Sequence, residues 1–256
     1  MDFLNVIILA VIEGFTEFLP ISSTAHLMIA SRTLGIEKTD FLKSFIISIQ
    51  FGAILSVVFL YWKIFFYDWK IDAKIITAFI PTALIGFFLY EMIKGFFLES
   101  LATVAIALIA GGIFLIFFEK FHKDKSEKLD ISGISYSKAF LIGCAQALAV
   151  IPGVSRATST IIGGMLLGAE RKTIVEFSFL LAVPTMLAAT GYDLIKSGGA
   201  FTLNEFYLLA LGFFASFVFA VVGIKFLLDF IKRKTFVSFG IYRIVIGLIL
   251  LVYLYR

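Results

Sequence analysis

The feature that most constrains this chain is a set of six apolar blocks, each long enough to cross a lipid bilayer. A membrane-spanning helix needs about 20 largely apolar residues, because the hydrocarbon core is about 30 Å thick. We therefore expect an all-α integral membrane protein with six transmembrane helices, formed by residues 1–256 as a single polytopic membrane domain. The blocks cover residues 43–62, 74–92, 101–119, 173–194, 203–228 and 236–255.

The composition supports a membrane protein and argues against other classes. Apolar residues make up 61% of the chain and charged residues only 16%, whereas a soluble domain usually has about 25% charged residues. The net charge of +4 comes from residues in short loops. No contiguous basic face is visible, so we expect membrane lipids and no nucleic acid as partners.

Two further apolar regions are interrupted by short polar turns. The first covers residues 2–34 and is broken at 19–24, and the second covers residues 138–169 and is broken at 151–156. Each break contains a proline, which lacks a backbone N–H and disfavours helix in the residue before it. Because the arms beside each break are short for a full span, we interpret both regions as re-entrant helical hairpins.

The order of hairpin, three spans, hairpin, three spans predicts repeat halves of about 1–125 and 132–256. Because three is odd, the second half must be inverted relative to the first, and the two broken tips can meet near the midplane. Fourteen basic residues fall on one side, mainly in the loops 62–74, 120–138 and 225–235, and six fall on the other. By the positive-inside rule the basic side is cytoplasmic, which places both termini outside.

Residues 13–26 read EGFTEFLPISSTAH and begin with two acidic residues. Glu13 and Glu17 are four residues apart, so they share one face of a helix. Each charge at membrane depth costs roughly 2.5–3.5 kcal/mol of insertion free energy, and the pair therefore indicates a functional role. Holding a divalent metal cation (Mg or Ca) is such a function, because hard cations bind carboxylate oxygens. The alternative is that both carboxylates merely face lipid headgroups.

Hydroxyl groups and an imidazole follow in the same stretch. Ser23 lies three residues before His26, and a hydroxyl beside an imidazole is the minimum equipment for an activated nucleophile. The neighbouring Ser22 and Thr24 stand where a second short helix should begin, and simple capping explains any one of these hydroxyls. Likewise, His26 on its own could be structural.

The second break, residues 152–160, reads PGVSRATST and combines an arginine with a helix N-terminus. Free backbone N–H groups at a helix N-terminus bind anions, and the planar fork of Arg156 suits phosphate oxygens. Arg156 could instead pair with Glu13 or Glu17 as structure alone, and Arg243 in the last span could form a structural ion pair. The candidate phosphate-binding residues come from both breaks and are Arg156, Ser155, Thr24, Ser22 and Thr160.

Together the two motifs resemble those of undecaprenyl-diphosphate phosphatases, also called the bacitracin-resistance protein family, in order, spacing and overall length. The resemblance implies hydrolysis of undecaprenyl diphosphate to undecaprenyl phosphate and inorganic phosphate, which recycles the lipid carrier of cell-wall synthesis in the bacterial inner membrane. It also implies a divalent metal requirement and a possible homodimer. One departure is Ala157, where many members carry serine. The residues to which the resemblance gives catalytic roles are Ser23, His26, Glu17, Glu13 and Arg156.

With these roles, Ser23 attacks the terminal phosphorus, and His26 acts as general base and then as general acid. Glu17 and Glu13 hold the metal or orient His26, and Arg156 stabilises the developing charge. Direct attack by a water activated at His26 is an alternative mechanism. A transporter or flippase for a phosphorylated lipid is the alternative function, although transport does not require the Ser23–His26 pair.

Overall fold

The structure is a computed structural model that describes residues 1–96, 100–122, 130–197 and 202–254. Within these residues the chain forms helices and turns and no β-strand. The helices are α1 (Phe3–Thr16), α2 (Ser23–Thr33), α3 (Asp40–Leu60), α4 (Trp62–Tyr67), α5 (Trp69–Phe96), α6 (Leu101–Phe121), α7 (Tyr136–Gln146), α8 (Arg156–Leu166), α9 (Arg171–Ser197), α10 (Leu203–Phe230) and α11 (Val237–Leu254), with 3-10 turns at Ile131–Gly133 and Ala147–Val150.

Six helices are long and apolar enough to cross a membrane, namely α3, α5, α6, α9, α10 and α11. They coincide with the six predicted apolar blocks, and their ends differ from the predictions by a few residues. The block predicted to end at residue 62 ends at Leu60, because Tyr61 caps α3 and the short helix α4 follows at once. The prediction of an all-α, multi-pass membrane protein is therefore confirmed.

The outer surface of the bundle is rich in large apolar side chains. Phe59 on α3, Phe88 on α5, Phe117 on α6 and Phe214 on α10 are each more than half exposed. In water, exposed apolar side chains of this size and number would promote aggregation, whereas in a bilayer they contact lipid tails. The helices therefore present the surface that a lipid environment requires.

The two helices that precede the breaks each pack against a long helix from the other half of the chain. Helix α1 packs against α10, and α7 packs against α5. Gly14 permits the first approach, because a Cβ there would overlap the backbone of Ser216 and Ala220. Gly143 permits the second, because a Cβ there would overlap the backbone of Ala78. Close backbone packing thus fixes where each break lies relative to the opposite half.

Both predicted breaks are confirmed as interruptions of helical structure. Helix α1 ends at Thr16 and α2 begins at Ser23, with turns between them. In the second region, a 3-10 turn follows α7, and residues 151–155 lead into α8. Ser22 and Ser155 directly precede the new helices with φ of 71° and 76°, and they are the non-glycine residues with positive φ in the described part of the chain. Such angles are strained for a residue with a Cβ, and this strain is typical of functional loops.

Candidate active site

Glu17, the residue that follows α1, connects the two breaks. Its Oε1 accepts a hydrogen bond from Nη2 of Arg156 at 3.0 Å, and its Oε2 accepts a hydrogen bond from the hydroxyl of Ser23. The side chains of Arg156 and Glu17 are only 11% and 10% exposed. One shielded carboxylate therefore holds a hydroxyl from the first break and a guanidinium from the second.

Arg156 is the first residue of α8, and its guanidinium is only partly used. Nη1 donates to the carbonyl of Ser178 on α9 at 2.8 Å, and the guanidinium carbon lies 5.7 Å from the ring centroid of Phe18. Its Nε is buried without a hydrogen-bond partner. Because buried N–H groups are nearly always paired, this nitrogen is a donor available to an anionic ligand beside Glu17.

Glu13 lies one turn before Glu17 on α1 and is fully buried. Neither of its carboxylate oxygens has a hydrogen-bond donor beside it, but the side chain lies close enough to that of Glu17 to share a proton with it, and it also interacts electrostatically with Arg156. An unpaired carboxylate away from water is costly unless a proton or a cation compensates for it.

The donor set of this acidic pair fits a hard divalent cation such as Mg or Ca, which binds carboxylate oxygens. The described residues contain no group of three or more His, Cys, Asp and Glu side chains that could hold a metal ion. Glu13 and Glu17 would therefore need further oxygen ligands, and phosphate oxygens and water are the usual ones for such cations.

His26 on α2 has different partners from those that the sequence predicts. Its Nδ1 lies 2.7 Å from the carbonyl oxygen of Ser22, and its Nε2 lies 2.8 Å from the hydroxyl of Tyr242. The expected Ser23–His26 hydrogen bond does not form, and Glu17 does not orient the imidazole. The first turn of α2 offers the imidazole a local carbonyl, while the Ser23 hydroxyl takes the stronger, charged acceptor.

The remaining candidate phosphate ligands divide into two groups. Ser22 is buried and Thr24 is exposed, and both stand at the N-terminus of α2 beside Ser23. In the second break, the Ser155 hydroxyl accepts from the backbone N–H of Thr158 at 3.3 Å, as a helix cap does. Thr160 is fully buried, and its hydroxyl lies 3.2 Å from Oε1 of Gln146 and 2.9 Å from the carbonyl of Arg156. The hydroxyls of Ser155 and Thr160 are thus already used by their own half.

Arg243 on α11 does not form the ion pair that the sequence suggested. It is fully buried, and within the described residues its partners are backbone carbonyls and one hydroxyl, that of Thr158 at 2.9 Å. Nη2 donates to the carbonyl of Gly153 at 2.9 Å, and Nη1 lies 3.4 Å from the carbonyl of Pro20. The guanidinium therefore ties the backbones of both breaks together, and Gly111 leaves room for it, because a Cβ there would overlap it.

Sequence reasoning missed Tyr242 and underestimated Arg243. An aromatic residue in an apolar span is common at lipid-facing positions, so no local pattern distinguishes Tyr242 from its neighbours. Arg243 did carry a signal, because a charged residue inside a span is costly and indicates a function or a buried partner. Its partners could not be predicted, since they are mostly main-chain carbonyls that every residue carries.

Comparison with known proteins identifies the family of the chain. The family model described as "Bacitracin resistance protein BacA" matches residues 6–249. A protein named undecaprenyl-diphosphatase from Aquifex aeolicus (strain VF5) is 52% identical over 243 residues, which cover 95% of each chain. Relatives of the same name from Wolinella succinogenes and Persephonella marina are 50% identical over 255 and 254 residues, which cover 99% of each chain. The chain belongs to the bacitracin resistance protein BacA family.

Proposed function

We propose that this membrane protein hydrolyses undecaprenyl diphosphate to undecaprenyl phosphate and inorganic phosphate, and so recycles the lipid carrier of cell-wall synthesis. The family and the name of its relatives supply the substrate. The observation that carries the proposal is the Glu17 carboxylate, which holds Ser23 and Arg156 at once. A nucleophile, a proton acceptor and a phosphate-binding cation therefore lie side by side, and this set suits phosphoryl transfer.

In the first step, Oγ of Ser23 attacks the terminal phosphorus and its proton passes to Oε2 of Glu17, which already accepts its hydrogen bond. The new Oγ–P bond forms while the P–O bond to the lipid-linked phosphate breaks, and undecaprenyl phosphate leaves. Arg156 donates to the phosphoryl oxygens through its unpaired Nε, and this stabilises the charge that develops on them. The role of proton acceptor thus falls to Glu17 in place of His26.

In the second step, water attacks the phosphorus and gives a proton to Nε2 of His26. The P–Oγ bond breaks, Ser23 recovers its proton from Glu17, inorganic phosphate leaves, and His26 releases its proton to water. Direct attack by the water on the lipid diphosphate, with Ser23 as a phosphate ligand, is the alternative route. Ser22 and Thr24, at the N-terminus of α2, complete the phosphate site in either route.

A divalent cation belongs at Glu13 and Glu17, and Mg or Ca fits their oxygen ligands. When bound, it would neutralise charge on the phosphate oxygens. Glu13 supports this role, because its two buried oxygens lack hydrogen-bond partners.

The proposed topology is an inverted repeat in which each broken region is a re-entrant hairpin. Reciprocal packing supports it, because α1 packs on α10 while α7 packs on α5, and these long helices are the second spans of their halves. The two positive-φ serines, Ser22 and Ser155, support it as well. Irregular backbone at membrane depth is tolerated where it is buried in protein or lines a cavity, as both breaks would be.

The proposed location is the bacterial inner membrane, with both termini and the entrance of the site outside. The basic loops 62–74, 120–138 and 225–235 would then face the cytoplasm. Lys123, Lys125 and Lys128, which contribute to this bias, lie outside the described residues. A homodimer is the proposed assembly, and it rests on the family resemblance alone.

The deciding experiment is phosphate release from undecaprenyl diphosphate by the purified chain in detergent. Ser23→Ala should lose nearly all turnover, by about a thousandfold or more, since loss of a nucleophile removes the chemistry and little of the affinity. Ser31→Ala, two turns further along α2, is the matched control and should keep full activity. Excess chelator should abolish activity, and an added divalent ion should restore it.

Three outcomes would count against parts of this proposal. Substantial turnover by Ser23→Ala would favour direct attack by water. Full activity in excess chelator would remove the cation from the reaction. Lipid binding without phosphate release by the unmodified chain would favour the transporter.

A further inference from the structure

Tyr242 on α11 makes a contact that the reaction described above does not use. Its hydroxyl lies 2.8 Å from Nε2 of His26. The two rings are parallel to within 3°, with centroids 5.5 Å apart. Tyr242 is 40% exposed, whereas the adjacent Arg243 is fully buried. Two consecutive residues of α11 therefore contact the breaks in different ways. Arg243 donates to their buried backbone carbonyls, and Tyr242 contacts His26 at the edge of the bundle.

The carbonyl of Ser22 decides which nitrogen of His26 carries a proton. Nδ1 lies 2.7 Å from this oxygen, and because a carbonyl only accepts hydrogen bonds, Nδ1 must be the donor. In a neutral imidazole the other nitrogen is then an acceptor. The hydroxyl of Tyr242 is therefore the donor to Nε2, and the two contacts together select a single tautomer.

This tautomer is the one that the second step of the reaction needs, because Nε2 then carries the lone pair, which takes a proton from water once the water has replaced the Tyr242 hydroxyl. Two hydrogen bonds and a parallel ring contact fix the plane of the imidazole, and Ser22 anchors it to the strained turn of the first break. Without the Tyr242 hydroxyl, only the Ser22 contact and the stacking would remain. The imidazole could then turn about its contact with Ser22, and Nε2 would no longer be held in one direction.

We propose that Tyr242 is a positioning residue for the phosphatase reaction, which holds the His26 imidazole so that Nε2 is its proton acceptor. The catalytic consequence rests on the proposed function, whereas the choice of tautomer does not. During turnover the same lone pair of Nε2 serves the attacking water, while the stacked ring of Tyr242 keeps the imidazole in place.

The test compares two tyrosines of α11. Tyr242→Phe removes the hydroxyl and keeps the stacked ring. Tyr253→Phe is the matched control, because Tyr253 lies on the same helix, and its ring, 5.9 Å from the guanidinium carbon of Arg32, is kept by the substitution. Both variants are made in full-length, tag-free chain carrying His122→Gln, which leaves His26 as the single histidine, since the sequence has two.

The first readout is the ¹⁵N spectrum of histidine-labelled protein in detergent, which reports the protonation of each ring nitrogen without any substrate. The parent and Tyr253→Phe should show neutral His26 with the proton on Nδ1 and a hydrogen-bonded Nε2. Tyr242→Phe should keep the proton on Nδ1 and lose the hydrogen-bonded Nε2 signal, because no donor then faces that nitrogen. A spectrum of Tyr242→Phe identical to that of the parent would overturn the proposal.

The second readout is phosphate release from undecaprenyl diphosphate. Tyr242→Phe should lower kcat on the order of tenfold and leave KM unchanged, because the hydroxyl contacts His26 and misplacement of a catalytic group slows the chemical steps. Tyr253→Phe should match the parent in both constants. A folded Tyr242→Phe with the parent's kcat would refute the positioning role. If the parent itself releases no phosphate, the proposed function fails, and the spectra still decide the tautomer.

Discussion

The two breaks share a backbone design and differ in the polar residue that precedes each of them. In both, a serine with positive φ directly precedes a new helix. Glu13 in the first half is fully buried with both carboxylate oxygens unpaired. Gln146, its counterpart 133 residues later, is also fully buried, but its Nε2 donates to Thr82 at 2.9 Å and to Thr185 at 3.1 Å. One scaffold thus carries a fully paired amide in one half and a buried carboxyl group without a hydrogen-bond donor in the other.

This difference indicates how the two halves divide their work. A buried polar group whose hydrogen bonds are all made stabilises its surroundings and needs no ligand to complete it. A buried carboxyl group without a hydrogen-bond donor destabilises the fold. Such groups are typical of sites where a ligand supplies the missing partner. In the proposed reaction, the first break therefore provides the reactive groups, and the second break holds Arg156, which reaches across to Glu17.

Among the substitutions that test this division between the halves, the one at Arg156, which crosses between them, should have the largest effect. Arg156→Lys should reduce phosphate release by about a hundredfold, since a point charge cannot reproduce the planar fork that serves Glu17, Ser178 and the phosphate together. Arg32→Lys, an exposed cation near the end of α2, is the matched control and should be neutral. An active Arg156→Lys enzyme would show that charge alone suffices and that the second half contributes no specific geometry.

Substitution of each residue of the pair Glu13 and Gln146 by the other residue type should change the stability in opposite directions. Glu13→Gln replaces a buried carboxyl group that lacks a hydrogen-bond donor with a neutral amide, so the thermal midpoint should stay the same or rise, while the proposed metal-dependent activity is lost. Gln146→Glu replaces an amide donor to Thr82 and Thr185 with an acceptor, and should destabilise the chain by about 1–3 kcal/mol. Thermal unfolding in detergent measures both. Equal destabilisation by the two substitutions would mean that Glu13 has structural partners of its own.

Much of this arrangement could be predicted from the sequence, because it depends on long-range composition and on proline. Six spans follow from six long apolar blocks, and both breaks follow from Pro20 and Pro152 in apolar surroundings. The pairing of Glu17 with Arg156 could be anticipated as one option, since few other charges share that depth.

The rest depends on side-chain directions that spacing does not determine. Ser23 and His26 share a helix face, yet the Ser23 hydroxyl takes Glu17, because the chain folds back at the turn after α1 and brings a charged acceptor closer. The contact between His26 and Tyr242 spans 216 residues, and nothing local to either residue indicates it. Thr160 lies one turn after Arg156, but the helix directs its hydroxyl to Gln146.

The smallest expected effect tests the shared backbone design itself. The Ser155 hydroxyl caps α8 by accepting from the N–H of Thr158 at 3.3 Å, whereas Ser22 makes no side-chain capping bond to α2. Ser155→Ala should therefore destabilise the chain by about 1 kcal/mol, which lowers the thermal midpoint by about 2–4 °C, and Ser22→Ala should lower it less. Ser22→Gly should raise it, because glycine adopts φ near 71° without strain and no cap is lost there. If Ser22→Ala destabilises as much as Ser155→Ala, the first hydroxyl has a structural role that the contacts of Ser22 do not explain, and the division between a reactive half and a structural half would have to be redrawn at that residue.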